Sequence, residues 1–433
     1  MRMTMNHVID TLCRAALTLP LLFAFTLPAI AHGEDFAQWR GPRGDGISAA
    51  KGLPTKWGVD LNVAWKTPLP EPGNSTPVVW GDRIFVTQPV ANENRRTLLC
   101  LDRTDGKTLW QQGTDWTGPD PTHGTNPFCS ASPVTDGKRV IVWHGSAGLF
   151  AYDLDGRELW RRDLGIQKHI WGYGSSPLIH GDLCFLNFGP GPRSFLIAVR
   201  CDTGETVWQH DEPINTQGTA EAKFASADFY GSWSTPVIRQ LAGQEQLVIS
   251  FPFRVCGFEP STGKLLWSHE GINALVYTSP LIEQETIVSM GGYSGMTVAL
   301  RVGPNNVIER LWRHPKTKQR IGSGAIHDGH IFIHNDPGIA ECFDLKTGES
   351  VWEERLVGPG AKATNWSSVM IADGNCYTIN QAGDCFVFRA SPKFELIATN
   401  SLGETSNASI VTAGNSLLIR THQHLWSIAE TKK

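Results

Sequence analysis

One four-residue phrase returns eight times along this chain and constrains its fold more than any other feature. The phrase is a small residue, then Ser, Thr or Gly, then usually Pro, then an aliphatic residue. Most copies lie about 44 residues apart, which is the length of a four-stranded propeller blade and too long for one strand-and-helix repeat. The copies begin at Ser75, Ala131, Ser175, Ser234, Thr278, Ser323, Ser367 and Ala408.

Each repeat can be divided into four strands. The first strand begins at the phrase and is apolar, and a Gly-Asp or Asp-Gly turn often follows it. The second strand is β-branched and aromatic, and the third alternates small and large residues. A turn such as Thr347-Gly348-Glu349 then leads to a fourth strand that ends in Trp. We predict that these tryptophans pack between adjacent sheets and bind no ligand: Trp110, Trp160, Trp208, Trp267, Trp312 and Trp352.

The strand count predicts how the ring closes. There are eight first strands but only seven fourth strands after them, the seventh being Phe394 to Ala398, without a Trp. The chain ends after a third strand, Leu425-Trp426-Ser427-Ile428, whereas Asn62-Val63-Ala64-Trp65-Lys66 resembles a fourth strand and precedes the first phrase. We therefore predict an all-β, eight-bladed β-propeller of four-stranded antiparallel blades, closed by the N-terminal strand joining the C-terminal blade. A seven-bladed ring is the alternative if the last copies are irregular.

The N-terminus has the pattern of a secretory signal peptide over residues 1–31. A basic region precedes an apolar run and the small-x-small site Ala29-Ile30-Ala31. The run is short for a transmembrane helix, and no later stretch is apolar enough to span a bilayer. We predict cleavage near Ala31, an N-terminal segment over 32–61 and a propeller over 62–430, in a periplasmic or secreted monomer. A buried N-terminal helix is the alternative.

The charge balance excludes one class of partner. The chain has 38 Lys and Arg and 42 Asp and Glu, a formal net charge of −4 and a sequence pI of about 6.4. No basic block is present. Nucleic-acid binding normally needs a basic patch or a pI above about 9, so we predict no nucleic-acid partner.

Eight cysteines follow the signal peptide, which in an exported protein raises the question of disulfides. Cys100 and Cys342 occupy a position where other repeats carry Ala or Gly. Cys376 and Cys385 share one hairpin, but its short turn does not place them opposite each other. We predict free, buried cysteines that act as small apolar residues, with disulfide pairing as the alternative.

Three turn-and-strand segments carry a family resemblance: Asp202-Thr203-Gly204-Glu205-Thr206-Val207-Trp208, Phe258-Glu259-Pro260-Ser261-Thr262-Gly263-Lys264-Leu265-Leu266-Trp267 and Phe343-Asp344-Leu345-Lys346-Thr347-Gly348-Glu349-Ser350-Val351-Trp352. With these, the chain resembles the pyrroloquinoline-quinone-like (PQQ-like) propeller family over roughly residues 60–430. The resemblance implies two kinds of function. One is the quinoprotein alcohol and sugar dehydrogenases; the other is non-catalytic scaffolds such as the propeller of the outer-membrane β-barrel assembly machinery. Gln38-Trp39-Arg40-Gly41-Pro42, with Asp45-Gly46, is similar to the opening segment of exported bacterial members of unknown role.

The sequence lacks the features that the resemblance implies for a dehydrogenase. Those enzymes stack the quinone between a Trp and a disulfide of adjacent cysteines, above calcium held by Glu, Asn and Asp. This chain has no Cys-Cys pair, no Cys-x-x-Cys-His haem motif, no His-Glu-x-x-His zinc motif and no Gly-x-Ser-x-Gly elbow. We predict no catalytic residue, no metal and no cofactor. PQQ and calcium belong to the alternative, a calcium-dependent quinoprotein oxidoreductase that acts on alcohols or sugars.

Aromatic and polar residues outside the repeat pattern gather on one predicted face. Loops from each fourth strand to the next first strand open there, together with the second-to-third hairpins. We predict an exported, non-catalytic scaffold that binds a protein or cell-envelope polymer through this face. The alternative is that these residues plug the axis and pack the loops. The candidates are Trp116, His123, His169, Trp171, Tyr173, Arg193, Phe229, Tyr230, Trp233, His334, Asp336 and Trp366.

Overall fold

The computed structural model describes residues 35–212, 230–293 and 295–430. The predicted signal peptide, over residues 1–31, and the candidate Phe229 lie outside the described residues. The described chain forms strands and three short 3-10 turns, at Ala91–Glu93, Gly145–Ala147 and Pro304–Asn306, and contains no α-helix. In this part of the chain no helix has the length and apolarity needed to cross a membrane.

The strands form eight four-stranded antiparallel blades arranged as a propeller, which confirms the predicted fold and blade count. Before blade 1 come β1 (Ile47–Ser48) and β2 (Val63–Pro68). β1 adds a fifth, parallel strand to the sheet of blade 7. Blades 1 to 4 and one short strand comprise β3 (Val78–Trp80), β4 (Arg83–Val90), β5 (Arg95–Asp102), β6 (Thr108–Asp115), β7 (Val134–Thr135), β8 (Arg139–Trp143), β9 (Leu149–Asp153), β10 (Glu158–Arg162), β11 (Leu178–His180), β12 (Leu183–Phe188), β13 (Ser194–Arg200), β14 (Thr206–Glu212), β15 (Gly231–Ser232), β16 (Val237–Leu241), β17 (Gln244–Phe251), β18 (Arg254–Phe258) and β19 (Leu265–Glu270).

The second half of the ring has the same organisation. It comprises β20 (Leu275–Val276), β21 (Leu281–Glu283), β22 (Thr286–Met290), β23 (Thr297–Val302), β24 (Ile308–His314), β25 (Ala325–His327), β26 (His330–Asn335), β27 (Ile339–Asp344), β28 (Ser350–Arg355), β29 (Met370–Ala372), β30 (Asn375–Ile379), β31 (Asp384–Arg389), β32 (Leu396–Ser401), β33 (Val411–Ala413), β34 (Ser416–Arg420) and β35 (His424–Ile428). The short β15 and β20 pair in parallel between blades 4 and 5. The first strands of neighbouring blades contact each other, so they form the inner wall.

The N-terminal strand closes the ring as predicted. β2 is the outer strand of blade 8, in the order β2-β35-β34-β33. It pairs antiparallel with β35, and Lys66 lies opposite Trp426 and Thr67 opposite Leu425. The backbone groups of β35 that face β2 therefore gain partners from the other end of the chain.

The hydrophobic core lies between the blades. Its buried residues form eight clusters, and each cluster is built mainly from two neighbouring blades. Between blades 2 and 3, for example, Trp143 packs against Phe188 with ring centroids 5.5 Å apart. Because one such cluster joins blade 8 to blade 1 through Leu418 and Val86, apolar burial continues around the whole ring.

The repeat tryptophans dock on the next blade, which confirms their structural role. Trp110 donates its indole N–H to the carbonyl of Leu154 in blade 2 at 3.0 Å. The turn glycine there, Gly156, lies so close to the indole that an added Cβ would be 2.7 Å from it. Trp267 differs, since it donates to Gln246 of its own blade at 2.6 Å.

Blade 7 lacks a repeat Trp, and the N-terminal segment supplies one instead. Ala398 occupies the Trp position of β32. Trp57 is buried in the cluster that joins blades 7 and 8, and its backbone N–H donates to Asn400 at 3.0 Å. The strand itself begins at Leu396, two residues later than the predicted start at Phe394.

The N-terminal segment also crosses one face of the ring. The Phe36 carbonyl accepts the N–H of Val79 in blade 1, and the Gly46 carbonyl accepts that of Ile371 in blade 7. Both hydrogen bonds are made by residues of inner strands, at the end away from the fourth-to-first loops. β1 also pairs in parallel with the inner strand β29. The segment therefore covers the face opposite to the fourth-to-first loops.

The eight cysteines in the described part of the chain are buried and unpaired. Cys100 and Cys342 each lie opposite a repeat Trp across the third and fourth strands. Cys376 lies opposite Phe388 and Cys385 opposite Ile379, so this hairpin does not pair the two thiols. The cysteines fill small apolar positions, as the sequence predicts.

Candidate binding site at the propeller axis

A ring of hydroxyl groups surrounds the axis at the start of the inner strands. In most blades the hydroxyl accepts a backbone N–H from the preceding blade. The Thr76 N–H donates to Ser132 at 2.9 Å, and the Ser409 N–H donates to Thr76 at 3.1 Å. These bonds satisfy buried backbone donors and link all eight blades. The ring consists of Thr76, Ser132, Ser176, Thr235, Ser279, Ser323, Ser368 and Ser409.

The ring corrects the register of the sixth phrase. The sequence phrase begins at Ser323 and places Gly324 in the Ser/Thr position. In the structure Ser323 is the ring member, since it accepts the Ser279 N–H at 3.0 Å. Gly324 occupies the position that Pro takes in five other blades. A Cβ there would lie 2.7 Å from the Phe332 carbonyl, which explains the glycine.

A cavity of about 390 Å³ opens above this ring. Alternate residues of an extended segment point the same way, so the residue two positions before each ring member also faces the axis. All eight of these residues line the cavity: Asn74, Ser130, Gly174, Trp233, Tyr277, Ile321, Trp366 and Asn407. Trp39 of the N-terminal segment lines it as well, and since that segment crosses the opposite face, Trp39 forms the floor.

One side of the cavity is a group of four aromatic rings from blades 3 to 5, which we call the aromatic wall. Trp171 and Trp233 have ring centroids 6.1 Å apart, and Trp233 and Tyr277 4.9 Å apart. Tyr293 completes the group at 5.8 Å from Tyr277 and 5.7 Å from Trp171. Each ring contacts two others, so the wall is a continuous apolar surface.

The other side consists of amide side chains from blades 7, 8 and 1, which we call the amide wall. Gln381 donates to Asn407 at 2.7 Å. Asn407 and Asn74 each donate to the Thr125 carbonyl at 3.0 Å. These bonds fix the amide orientations before any ligand arrives.

Asp336 is the only carboxylate among the described lining residues. Its Oδ1 is buried and has no hydrogen-bond partner among the residues that the structure describes. Burial raises the pKa of this carboxyl group, and the backbone N–H of Asn365 offsets part of that effect. The cavity lining therefore includes one carboxylate with an oxygen that has no partner among the described residues.

The structure brings five of the sequence-predicted residues to the cavity: His123, Trp171, Trp233, Asp336 and Trp366. The long loop between β6 and β7 contributes His123, whose Nδ1 lies 2.8 Å from the Thr125 hydroxyl. These five come from separate parts of the chain, and only the ring brings them together.

Three other candidates are buried and do not line the cavity. The His169 ring accepts the backbone N–H of Trp171 at 3.2 Å and packs edge-on against Trp233. The Tyr173 hydroxyl accepts the Cys129 N–H at 3.2 Å. His334 lies 3.1 Å from the Thr378 hydroxyl, and burial lowers its pKa to about 3.

The remaining described candidates lie outside the cavity lining. The Arg193 guanidinium stacks on Phe195 at 4.7 Å and donates to the Leu164 carbonyl. Tyr230 packs against Phe253 at 5.7 Å. Trp116 directly follows β6 and is half-buried, and its backbone N–H donates to the Asn94 carbonyl.

Sequence reasoning missed Tyr277, Tyr293, Trp39 and the amide wall. One position of the repeat would have identified some of these residues, including Tyr277, Asn74 and Asn407. The residue directly before each phrase, correctly aligned, lines the cavity in all eight blades. Tyr293 and Trp39 belong to a hairpin and to the N-terminal segment, so no repeat position marks them.

The comparisons with known proteins agree with this architecture. The family described as "Outer membrane protein assembly factor BamB" matches residues 59–125 and 94–354, more than half of the chain. The chain belongs to the PQQ-like propeller family. No curated protein matches the sequence.

Solved PQQ-like propellers of both kinds resemble the structure. A quinohemoprotein alcohol dehydrogenase from Comamonas testosteroni has a TM-score of 0.68 at 12% identity, covering 92% of this chain and 81% of its own. A europium-containing methanol dehydrogenase has a TM-score of 0.67 at 11% identity, covering 89% of each chain. BamB from Moraxella catarrhalis has a TM-score of 0.58 at 13% identity, covering 85% of this chain and 98% of its own. At these identities the matches show the fold alone.

The cavity lining does not fit PQQ and calcium. PQQ carries three carboxylates, which favour Arg or Lys partners, and calcium takes six to eight oxygen ligands. The described lining has no Arg or Lys, and Asp336 is its one carboxylate. Among the described residues no three His, Cys, Asp or Glu side chains come together as a metal site.

Proposed function

We propose that this chain is an exported, non-catalytic propeller that binds a protein or cell-envelope polymer through the loop-bearing face around the axial cavity. One observation supports the proposal most. The cavity combines an aromatic wall with fixed amides and a single carboxylate, which is a set suited to binding. Asp336 has no second carboxylate beside it in the described lining, so the cavity lacks the carboxylate pair that many acid–base catalysts use.

Capture from the cell envelope tests this proposal. The chain without its predicted signal peptide is immobilised and exposed to envelope protein and envelope polymer fractions of the source organism. We expect the double variant Trp171→Ala, Trp366→Ala to lose capture, because both indoles line the cavity while remaining partly exposed. The melting temperature should change little. Tyr173 is not substituted, because it is buried and its hydroxyl accepts the Cys129 N–H, so its loss would affect folding as well as binding.

A matched control separates the cavity from general apolar adhesion. Leu109 and Val207 are 48% and 39% exposed on outer strands of blades 1 and 3. The double variant Leu109→Ser, Val207→Ser should capture the partner as the parent does. Equal capture by the parent and the Trp171→Ala, Trp366→Ala protein would refute the proposal.

A second assay tests the alternative enzyme. The purified chain is titrated with PQQ and calcium, and dye reduction is followed with alcohols and sugars. The proposal predicts no saturable quinone absorbance and no substrate-dependent reduction. Reduction that disappears in Asp336→Asn would establish the quinoprotein oxidoreductase instead.

A further inference from the structure

We infer that the axial cavity binds a neutral sugar unit at the end of a glycan. The inference rests on the proposed function and names the ligand of the same site. It follows from four features of the cavity, namely its aromatic wall, its amide wall, its charge and its closed floor.

The aromatic wall suits the apolar face of a sugar ring. A pyranose presents C–H groups on one face, and these pack against the electron-rich face of an aromatic ring. Four adjoining rings provide such a surface, and Tyr293 is 50% exposed at its edge. A rigid aromatic surface loses little conformational entropy when a ligand binds.

The opposite wall suits sugar hydroxyls. Each hydroxyl both donates and accepts, and a side-chain amide offers both roles as well. Asn74, Asn407 and Gln381 are already fixed by bonds to one another and to the Thr125 carbonyl. The unpartnered Oδ1 of Asp336 is an additional acceptor, and charge-assisted bonds of this type are strong.

The charge of the lining disfavours anionic ligands. Among the described lining residues no Arg or Lys is present. A phosphate, a sulfate or a uronic acid would face Asp336 without a fixed positive partner. The chemistry therefore favours an uncharged ligand with many hydroxyls.

The floor determines which part of a polymer can enter. Trp39 and five of the eight ring members line the cavity at its base, namely Thr76, Ser132, Ser176, Ser368 and Ser409. An extended peptide normally lies along an open groove or sheet edge, which this closed cavity does not offer. A volume of about 390 Å³ is near the lower end of ligand pockets, roughly 300–1,000 Å³. These properties fit a chain end of one or two sugar units.

The test uses the full chain without its predicted signal peptide and an array of neutral glycans attached through their reducing ends. Hits are measured by calorimetry with the matching free disaccharide. A uronic-acid disaccharide and a proline-rich decapeptide serve as comparators. We expect saturable binding of a neutral glycan, weakened about tenfold or more by Tyr293→Ala and by Asp336→Asn.

The control variant is Trp116→Ala, on the same face but outside the cavity lining, and it should bind like the parent. Tyr293 is half-exposed and Asp336→Asn preserves shape, so both variants should fold. Binding to no neutral glycan, stronger binding of either comparator, or equal affinity in the cavity variants would overturn the inference. If glycans fail while Trp171→Ala, Trp366→Ala still loses a protein partner, only the ligand class is wrong. Quinone-dependent activity would overturn the proposed function too.

Discussion

The substitution Gly348→Ala tests whether the turn glycine is required by the tryptophan docked above it. Gly348 has a φ of +75°, and an added Cβ would lie 2.5 Å from the Trp312 ring. Trp312 donates its indole N–H to the Leu345 carbonyl at 2.9 Å. Alanine therefore adds two separate costs, a strained backbone and a displaced indole.

The free-energy costs of the strained backbone and of the displaced indole can be separated by a control substitution, Gly329→Ala, in the same blade. A left-handed conformation costs an L-residue about 1–2 kcal/mol. Displacing Trp312 adds about 1 kcal/mol for the lost hydrogen bond and a comparable amount for lost packing. Gly329 has a φ of +69° but nothing within 4 Å of an added Cβ. We expect Gly348→Ala to lower the free energy of unfolding by about 3–4 kcal/mol, against about 1–2 kcal/mol for Gly329→Ala.

Equilibrium urea unfolding, followed by far-ultraviolet circular dichroism, measures both values. A double-mutant cycle completes the experiment. In a Trp312→Ala background, Gly348→Ala should cost no more than Gly329→Ala does. Equal destabilisation of the two glycine variants in the parent protein would refute the docking argument, because only backbone strain would then be seen.

Three further predictions concern closure, acidity and thiols. The Trp65 indole of blade 8 donates to the Arg103 carbonyl of blade 1 at 3.1 Å. Trp65→Ala should therefore lower the free energy of unfolding, measured in urea, by about 3 kcal/mol. An unchanged value would contradict closure by β2. Burial lowers the pKa of both His144 and His334 to about 3, so below about pH 6.5 the unfolded chain takes up more protons. Stability should fall with decreasing pH, by up to about 1.4 kcal/mol per pH unit per histidine, and His144→Gln, His334→Gln should flatten that slope in urea titrations at pH 7, 6 and 5. In the folded protein, a thiol reagent at pH 8 should modify none of the eight described cysteines. In denaturant without reductant it should modify all eight, and a smaller number in denaturant would indicate disulfides.

Most of the fold could be predicted because its signals are local. Each blade carries its own phrase, its turn glycine and its tryptophan, so one repeat explains the next. The closure followed from counting strands, and the pairing of Lys66 with Trp426 confirms it. The sixth phrase was misaligned because Gly324 satisfied the pattern, and only the hydrogen bond between Ser279 and Ser323 shows the true register.

The cavity was harder to predict because its members converge from distant parts of the chain. Trp39 and Tyr293 lie 254 positions apart, in a segment and a hairpin without repeat character. Sequence spacing does not show that the first crosses under the ring or that the second completes the aromatic wall. His169 and Tyr173 looked like surface residues because their loop is on the correct face, but packing turns both side chains inward.

The ring of hydroxyl groups forms a lower tier at the axis, and the cavity residues two positions before each ring member form an upper tier. These two tiers explain why fold similarity cannot assign the chemistry of this protein. Every member of the lower tier is Ser or Thr, because each takes part in the bonds that join neighbouring blades. The upper tier contains six different residue types, from Gly174 to Trp366, and only some of its members, such as Asn407, take part in side-chain bonds between blades. The ring can therefore keep its geometry while the lining changes from one propeller to another. It follows that the upper tier and the loops above it, and not the blades, determine what the axis can bind.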